Sequence, residues 1–143
     1  AYNTRYIYHD PCHTPLKEGV PIETVNALIH PKDGSLAVLS ARCCGESGTF
    51  AIARPDIASQ VRFAKEQSLR GAAAKLKAGD FSGTTKVLTT CPGCLQGMSR
   101  YSDAIKSQAE FLIVEMMRSR YGDGWLHETL NKLRDGAIEK VLL

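Results

Sequence analysis

No apolar run in this chain approaches the roughly 20 residues needed to span a bilayer. The opening segment, residues 1–10, lacks the apolar core of a secretory signal peptide. A reducing, cytoplasmic location is therefore expected, and structural disulfides are not. The P-loop and the dinucleotide fingerprint are both missing, so nothing marks a nucleotide or flavin site in the chain itself. Charge of one sign is missing too. The net charge is +3, with Lys and Arg scattered along the chain, which argues against a dedicated nucleic-acid surface. There is no internal repeat, low-complexity tract or obvious linker. The chain also lacks an initiator Met and enters a strand-like segment almost at once, so it is expected to be part of a longer protein.

What is present is the composition of an ordinary globular domain: 143 residues, 43% hydrophobic and 23% charged. That length suits one domain with a sizeable core. Three short apolar runs read as strands: Arg5 to Tyr8, Leu36 to Leu39 and Lys86 to Thr89. Their near-continuous apolar character suits parallel strands covered on both faces.

The stretches between them read as helices. Pro21 to Ile29 has Pro in its first turn and Ile22, Val25, Leu28 and Ile29 on one face. Pro55 to Leu76 carries a stripe of Ile57, Val61, Ala64, Ser68, Ala72 and Leu76, with Gly79 as its stop. Glu110 to Arg120 is a further helix with Phe111, Val114 and Met117 on its apolar face, ending at Gly122. The tail, 125–143, has helical periodicity interrupted at Asp135-Gly136, and a weak strand signal lies at 104–106. Strands alternating with helices predict an α/β domain with a small, mainly parallel sheet flanked by helices. Its core spans about residues 4–120.

The five cysteines carry the functional signal. They form three groups: Cys12, the adjacent pair Cys43-Cys44, and Cys91-Pro92-Gly93-Cys94. Five thiols exceed the four ligands of a tetrahedral zinc site, and an odd number leaves one over in any disulfide scheme. Thiolates suit zinc, copper(I) or iron–sulfur clusters, and the number and grouping favour the last. Any one of them alone could be a small buried hydrophobe. All five, however, stand beside Pro, Gly or another Cys.

Each group follows a predicted strand within a few residues. In a parallel sheet all three therefore emerge at the carboxyl edge, where ligands bind in open α/β folds. Gly45, Gly48 and Gly93 suit tight turns and close backbone approach there. Their amides, with the start of a following helix, can donate hydrogen bonds to sulfur. His9 and His13 flank Cys12 and are read as supporting residues around the site, with direct ligation as the alternative. His30 and His127 are read as surface residues. Ser47, Thr49, Glu46 and Asp10 show no nucleophile–base spacing.

Tyr8-His9-Asp10-Pro11-Cys12-His13, Cys43-Cys44-Gly45-Glu46-Ser47-Gly48-Thr49 and Cys91-Pro92-Gly93-Cys94 together resemble the cysteine-rich CCG domain. That domain occurs in the heterodisulfide reductase B subunit and the glycolate oxidase iron–sulfur subunit. The residues after Trp125 are similar to the C-terminus of long bacterial FAD-linked oxidases of the lactate and glycolate dehydrogenase type. The resemblance implies that Cys12, Cys43, Cys44, Cys91 and Cys94 ligate a 4Fe-4S cluster, noncubane in the heterodisulfide reductase relatives. It implies an electron-transfer module of an FAD-linked 2-hydroxy-acid oxidoreductase, passing electrons from flavin toward a quinone or other acceptor. FAD would sit on a fused or partner oxidase domain, beside a ferredoxin-like domain, with peripheral association at the inner face of the respiratory membrane. The alternatives are a cluster-based disulfide reductase site and a structural zinc-binding interaction module. The isolated domain is not expected to hold a complete active site.

Overall fold

The computed structural model describes residues 3–16, 18–29, 35–46, 48–77 and 81–136. Four strands, β1 (Thr4–Tyr8), β2 (Val38–Leu39), β3 (Thr84–Thr89) and β4 (Ser107–Phe111), form one sheet in the order β2-β1-β3-β4. Every pairing is parallel, with Ile7 opposite both Val38 and Val87, and Val87 opposite Ala109. Pairing continues past the strands through His9 N–H to Leu88 O at 2.9 Å and Ser40 N–H to Tyr8 O at 2.8 Å.

The connections cover both faces of this sheet, as parallel strands require. The helices are α1 (Pro21–Ile29), α2 (Phe50–Ala53), α3 (Pro55–Leu76), α4 (Pro92–Ser99), α5 (Ser102–Ile105), α6 (Leu112–Tyr121) and α7 (Trp125–Arg134). Strand alternation sorts the core into two layers. Ile7 and Val87 pack with Leu69, Ala72 and Leu76 of α3, Met98 of α4 and Ile105 of α5. Tyr6, Tyr8 and Leu88 face the other way, against Val25 and Ile29 of α1 and Leu112 of α6. Fully buried Ile7, Leu69 and Leu88 each contribute about 1.5–3 kcal/mol relative to exposure.

The chain runs from β1 out to β2 on one side, then back across to β3 on the other. The strand order therefore reverses between β1 and β3. That crevice, at the carboxyl ends of the strands, is the place where α/β sheets bind ligands.

The α/β architecture and the helices Pro21–Ile29 and Pro55–Leu76 agree with the sequence reading. Three features differ. The segment expected as a weak strand at 104–106 is the end of α5, and Lys106, in the left-handed region at φ 50°, turns the chain into β4. Glu110 and Phe111 belong to β4, so the following helix starts at Leu112. Its buried face is Leu112 and Glu115 rather than Phe111, Val114 and Met117. The third difference lies on α3, whose buried face is Ala58, Lys65, Leu69, Ala72, Ala73 and Leu76. The helix is rotated so that Lys65 and Leu69 replace Ala64 and Ser68 at its centre. His30, Ser47, Gly79 and the tail at 137–143 lie outside the described residues.

Candidate metal centre

The three cysteine groups leave the sheet as the parallel topology requires: Cys12 after β1, Cys43-Cys44 after β2 and Cys91 after β3. Contacts between thiols then link the groups. Cys44 Sγ lies 3.2 Å from Cys94 Sγ, both buried and both free. The charge of Cys43, and a hydrogen bond with it, push the Cys12 thiol up, so these two neighbour each other at the rim. Cys91 and Cys94 interact within one helical turn. Burial is graded across the edge. Cys44 and Cys94 form the floor, Cys91 is half-buried, and Cys12 and Cys43 are exposed.

Local sequence explains why the thiols meet. Cys91 caps α4 in extended backbone and Pro92 takes its first helical position. The fixed φ of proline suits that place, and the helix start, with its positive end, favours nearby thiolates. Gly45 holds φ +75°, and a Cβ there would press on Val61 Cγ1 at 3.2 Å. Gly97 matters more. A Cβ on it would come within 2.7 Å of Glu46 Cγ and 3.5 Å of Cys44 Cβ. The absence of a side chain on Gly97 lets α4 lie against the Cys44 loop and brings Cys94 to Cys44. That loop is pinned from outside, where Glu46 pairs with Arg62 and Arg100, each at 3.2 Å. Gly93, expected in a tight turn, lies inside α4 with ordinary contacts to Glu46 O and Cys91 Sγ. Gly48 does hold positive φ, at +51°.

The buried thiol pair loses its first proton easily and its second with difficulty. The hydrogen bond from Cys94 lowers Cys44 to about 4, against burial, and His9 and the Glu46 amide add to this. The same hydrogen bond, with burial, pushes Cys94 strongly up. At the exposed side, Gly45 N–H donates to Cys43 Sγ at 3.3 Å.

His9 and His13, alike in sequence, part company. His13 is exposed on the Cys12 loop. His9 is 1% exposed, and one of its ring nitrogens lies within 4.8 Å of both Cys44 Sγ and Cys94 Sγ. Its Nδ1 faces Lys65 Nζ at 2.9 Å, while Nε2 is buried with no hydrogen-bond partner among the described residues.

Sequence reading missed Lys65. Its ammonium is also within donating distance of Ser40 Oγ (2.8 Å), Ser40 O (3.1 Å) and Ala41 O (3.0 Å), so its three protons are shared among four acceptors. Burial lowers its pKa to about 8, while the thiolates of Cys44, Cys94 and Cys43 act in the opposite sense. The detectable signal was spacing. Val61, Leu69, Ala72 and Leu76 leave a gap in the stripe one turn after Val61, and Lys65 fills it.

Cys44, Cys94 and His9 within 4.8 Å of one another, with Cys12, Cys43 and Cys91 linked to them pairwise and a buried cation behind, fit a soft metal or an iron–sulfur cluster. A family model described as a cysteine-rich domain (CCG) matches residues 6–99, and so includes all five cysteines. A second, described as a domain of unknown function (DUF3400), matches residues 99–143. No curated protein and no solved structure matches the chain. The two family matches meet at the end of α4, yet β4 pairs with β3, so both contribute to one sheet. No helix among the described residues is long and apolar enough to cross a membrane.

Proposed function

Because the chain belongs to the cysteine-rich CCG family, we propose that it is the iron–sulfur electron-transfer module of an FAD-linked 2-hydroxy-acid oxidoreductase. It stands between a flavin-bearing oxidase domain, with a ferredoxin-like domain beside it, and a quinone or other acceptor. The place of work is the cytoplasm or the inner face of the membrane. Cys12, Cys43, Cys44, Cys91 and Cys94 would hold the group, a 4Fe-4S centre, which supplies one-electron chemistry when bound.

The observation that carries this reading is the grading of the five thiols from buried floor to exposed rim. Cys44 and Cys94 bind from below, shielded from water. Cys12 and Cys43 close the site from outside, where a partner domain has access. His9, the Gly45 and Glu46 amides and the start of α4 offer hydrogen bonds and positive potential to sulfur, which tunes such centres.

Anaerobic purification of Cys43→Ser and Cys44→Ser variants tests the reading. Iron and acid-labile sulfide should be lost from both, with the circular dichroism of the fold retained. Unchanged iron and sulfide would overturn it.

A second reading is favoured by the His9, Cys44 and Cys94 group, which offers three ligands of a zinc site. One zinc per chain with no sulfide would support that interaction-module role. A third role, reduction of a disulfide at the site, is motivated by the exposed Cys12 and Cys43. It predicts turnover with an electron donor and a disulfide substrate, which a pure relay lacks.

A further inference from the structure

Lys65 is fully buried, and its charge faces no carboxylate among the described residues. The charged groups that reach it are the thiols of Cys44, Cys94 and Cys43. An ammonium has three protons and no lone pair. In its 2.9 Å contact with His9 Nδ1, Lys65 can therefore only donate, its three protons being shared between the ring nitrogen and the three oxygens around it. A neutral imidazole that accepts at Nδ1 carries its own proton on Nε2. That is the nitrogen left buried without a hydrogen-bond partner among the described residues, in a ring within reach of two sulfurs. A metal bound at Nε2 would require the opposite arrangement, with the proton on Nδ1 and a neutral Lys65 amine accepting it.

We propose that Lys65 and His9 form a buried donor pair, Nζ–H to Nδ1 and Nε2–H toward the sulfurs of Cys44 and Cys94. The pair makes His9 a hydrogen-bond donor to the sulfur edge and not a metal ligand. Lys65 is a positioning residue: it selects the tautomer of His9 and places a fixed positive charge behind the thiolates. This deepens the proposed function and rests on it only for the consequence at a loaded site. The tautomer itself is a property of the metal-free chain.

Nitrogen NMR of the reduced, metal-free, histidine-labelled chain reads the tautomer directly. The expected result is a proton on His9 Nε2. Lys65→Met should raise the Nδ1-protonated form to a major population. Lys65→Gln, which keeps an N–H donor without the charge, should retain Nε2–H. Nδ1 protonation in the unsubstituted chain would overturn the proposal, as would a His9 signal that Lys65→Met leaves unchanged. In the iron-loaded chain both variants should shift the reduction potential downward, because a buried positive charge favours an added electron. An unshifted potential would overturn the charge role of Lys65. If the chain takes up no iron while His9 carries its proton on Nε2, the electron-transfer reading falls and the donor pair stands.

Discussion

Two buried charges sit on opposite faces of the sheet, and their surroundings differ. Glu115 of α6 accepts hydrogen bonds from Tyr6 Oη (2.8 Å), Lys86 Nζ (2.8 Å) and Arg118 Nη1 (2.5 Å). Burial pushes its carboxyl up, but the hydrogen bonds from Lys86 and Tyr6 outweigh that and hold it below its ordinary value. Among the described residues, Lys65 of α3 has neutral acceptors and thiols around it and no carboxylate. Glu115 is thus compensated by the fold itself, and its place needs no ligand to explain it. Among the described residues, the negative charge that compensates Lys65 is on sulfur. A buried cation aimed at ionisable thiols, with no carboxylate beside it among the described residues, marks that face as the candidate functional one.

Breaking the compensated charge should have the largest effect on stability. Glu115→Ala leaves Lys86 and Arg118 facing an empty, partly buried position, and should cost about 3 kcal/mol in urea denaturation. Iron content should not change. A loss of iron in Glu115→Ala would erase the distinction between the two faces.

The same group gives the pH dependence. The folded carboxyl of Glu115 titrates below its unfolded value, so its contribution is fully present above about pH 4.5. It is lost as the pH falls through the lower, folded value. Glu115→Gln should flatten that part of the acid-stability curve, measured by chemical denaturation between about pH 3 and 6.

Gly97→Ala should show an intermediate effect, concentrated at the site. Its methyl group meets Glu46 Cγ, a side chain anchored by two arginines, so the Cys44 loop and α4 must separate. A stability loss of about 1–3 kcal/mol is expected, with a disproportionate fall in bound iron. Full iron content in a destabilised Gly97→Ala protein would show that the close approach of Cys44 and Cys94 is dispensable.

Lys65→Met should change stability least among the buried sites. Lost hydrogen bonds to Ser40 and Ala41 oppose the relief of burying a cation, leaving a net change of about 1 kcal/mol or less in the metal-free chain. The smallest effect belongs to His13→Ala. It should stay within about 0.5 kcal/mol of the parent and keep its iron, since His13 is exposed. A His13 variant as damaging to iron binding as a His9 variant would remove the contrast between the two histidines.

The legible parts of the fold were those with uniform character. β1 and β3 are central strands covered on both faces, and they show as apolar runs. α1 and α3 show as periodic stretches that open on proline. The position of the cysteines after three strand-like runs is enough to place them at one edge of a parallel sheet.

β4 was misread because it is an edge strand. Its Gln108 and Glu110 interrupt the apolar run, and Glu110-Phe111 resembles the opening of the helix that follows. Lys65 was missed because a lysine within an apolar stripe counts toward the solvent face unless its partners are known. Those partners, His9 and Ser40, lie far away in sequence and come together only through the β1–β2 pairing. Gly97 was hidden for a similar reason, since its role depends on which loop α4 touches.

The most direct test of the account is the iron, zinc and acid-labile sulfide content of the chain purified without oxygen, with an electron paramagnetic resonance spectrum before and after reduction. The cysteine edge predicts iron and sulfide in equal amounts, about four of each per chain, and a signal that changes on reduction. One zinc per chain, no sulfide and no paramagnetic signal would contradict it.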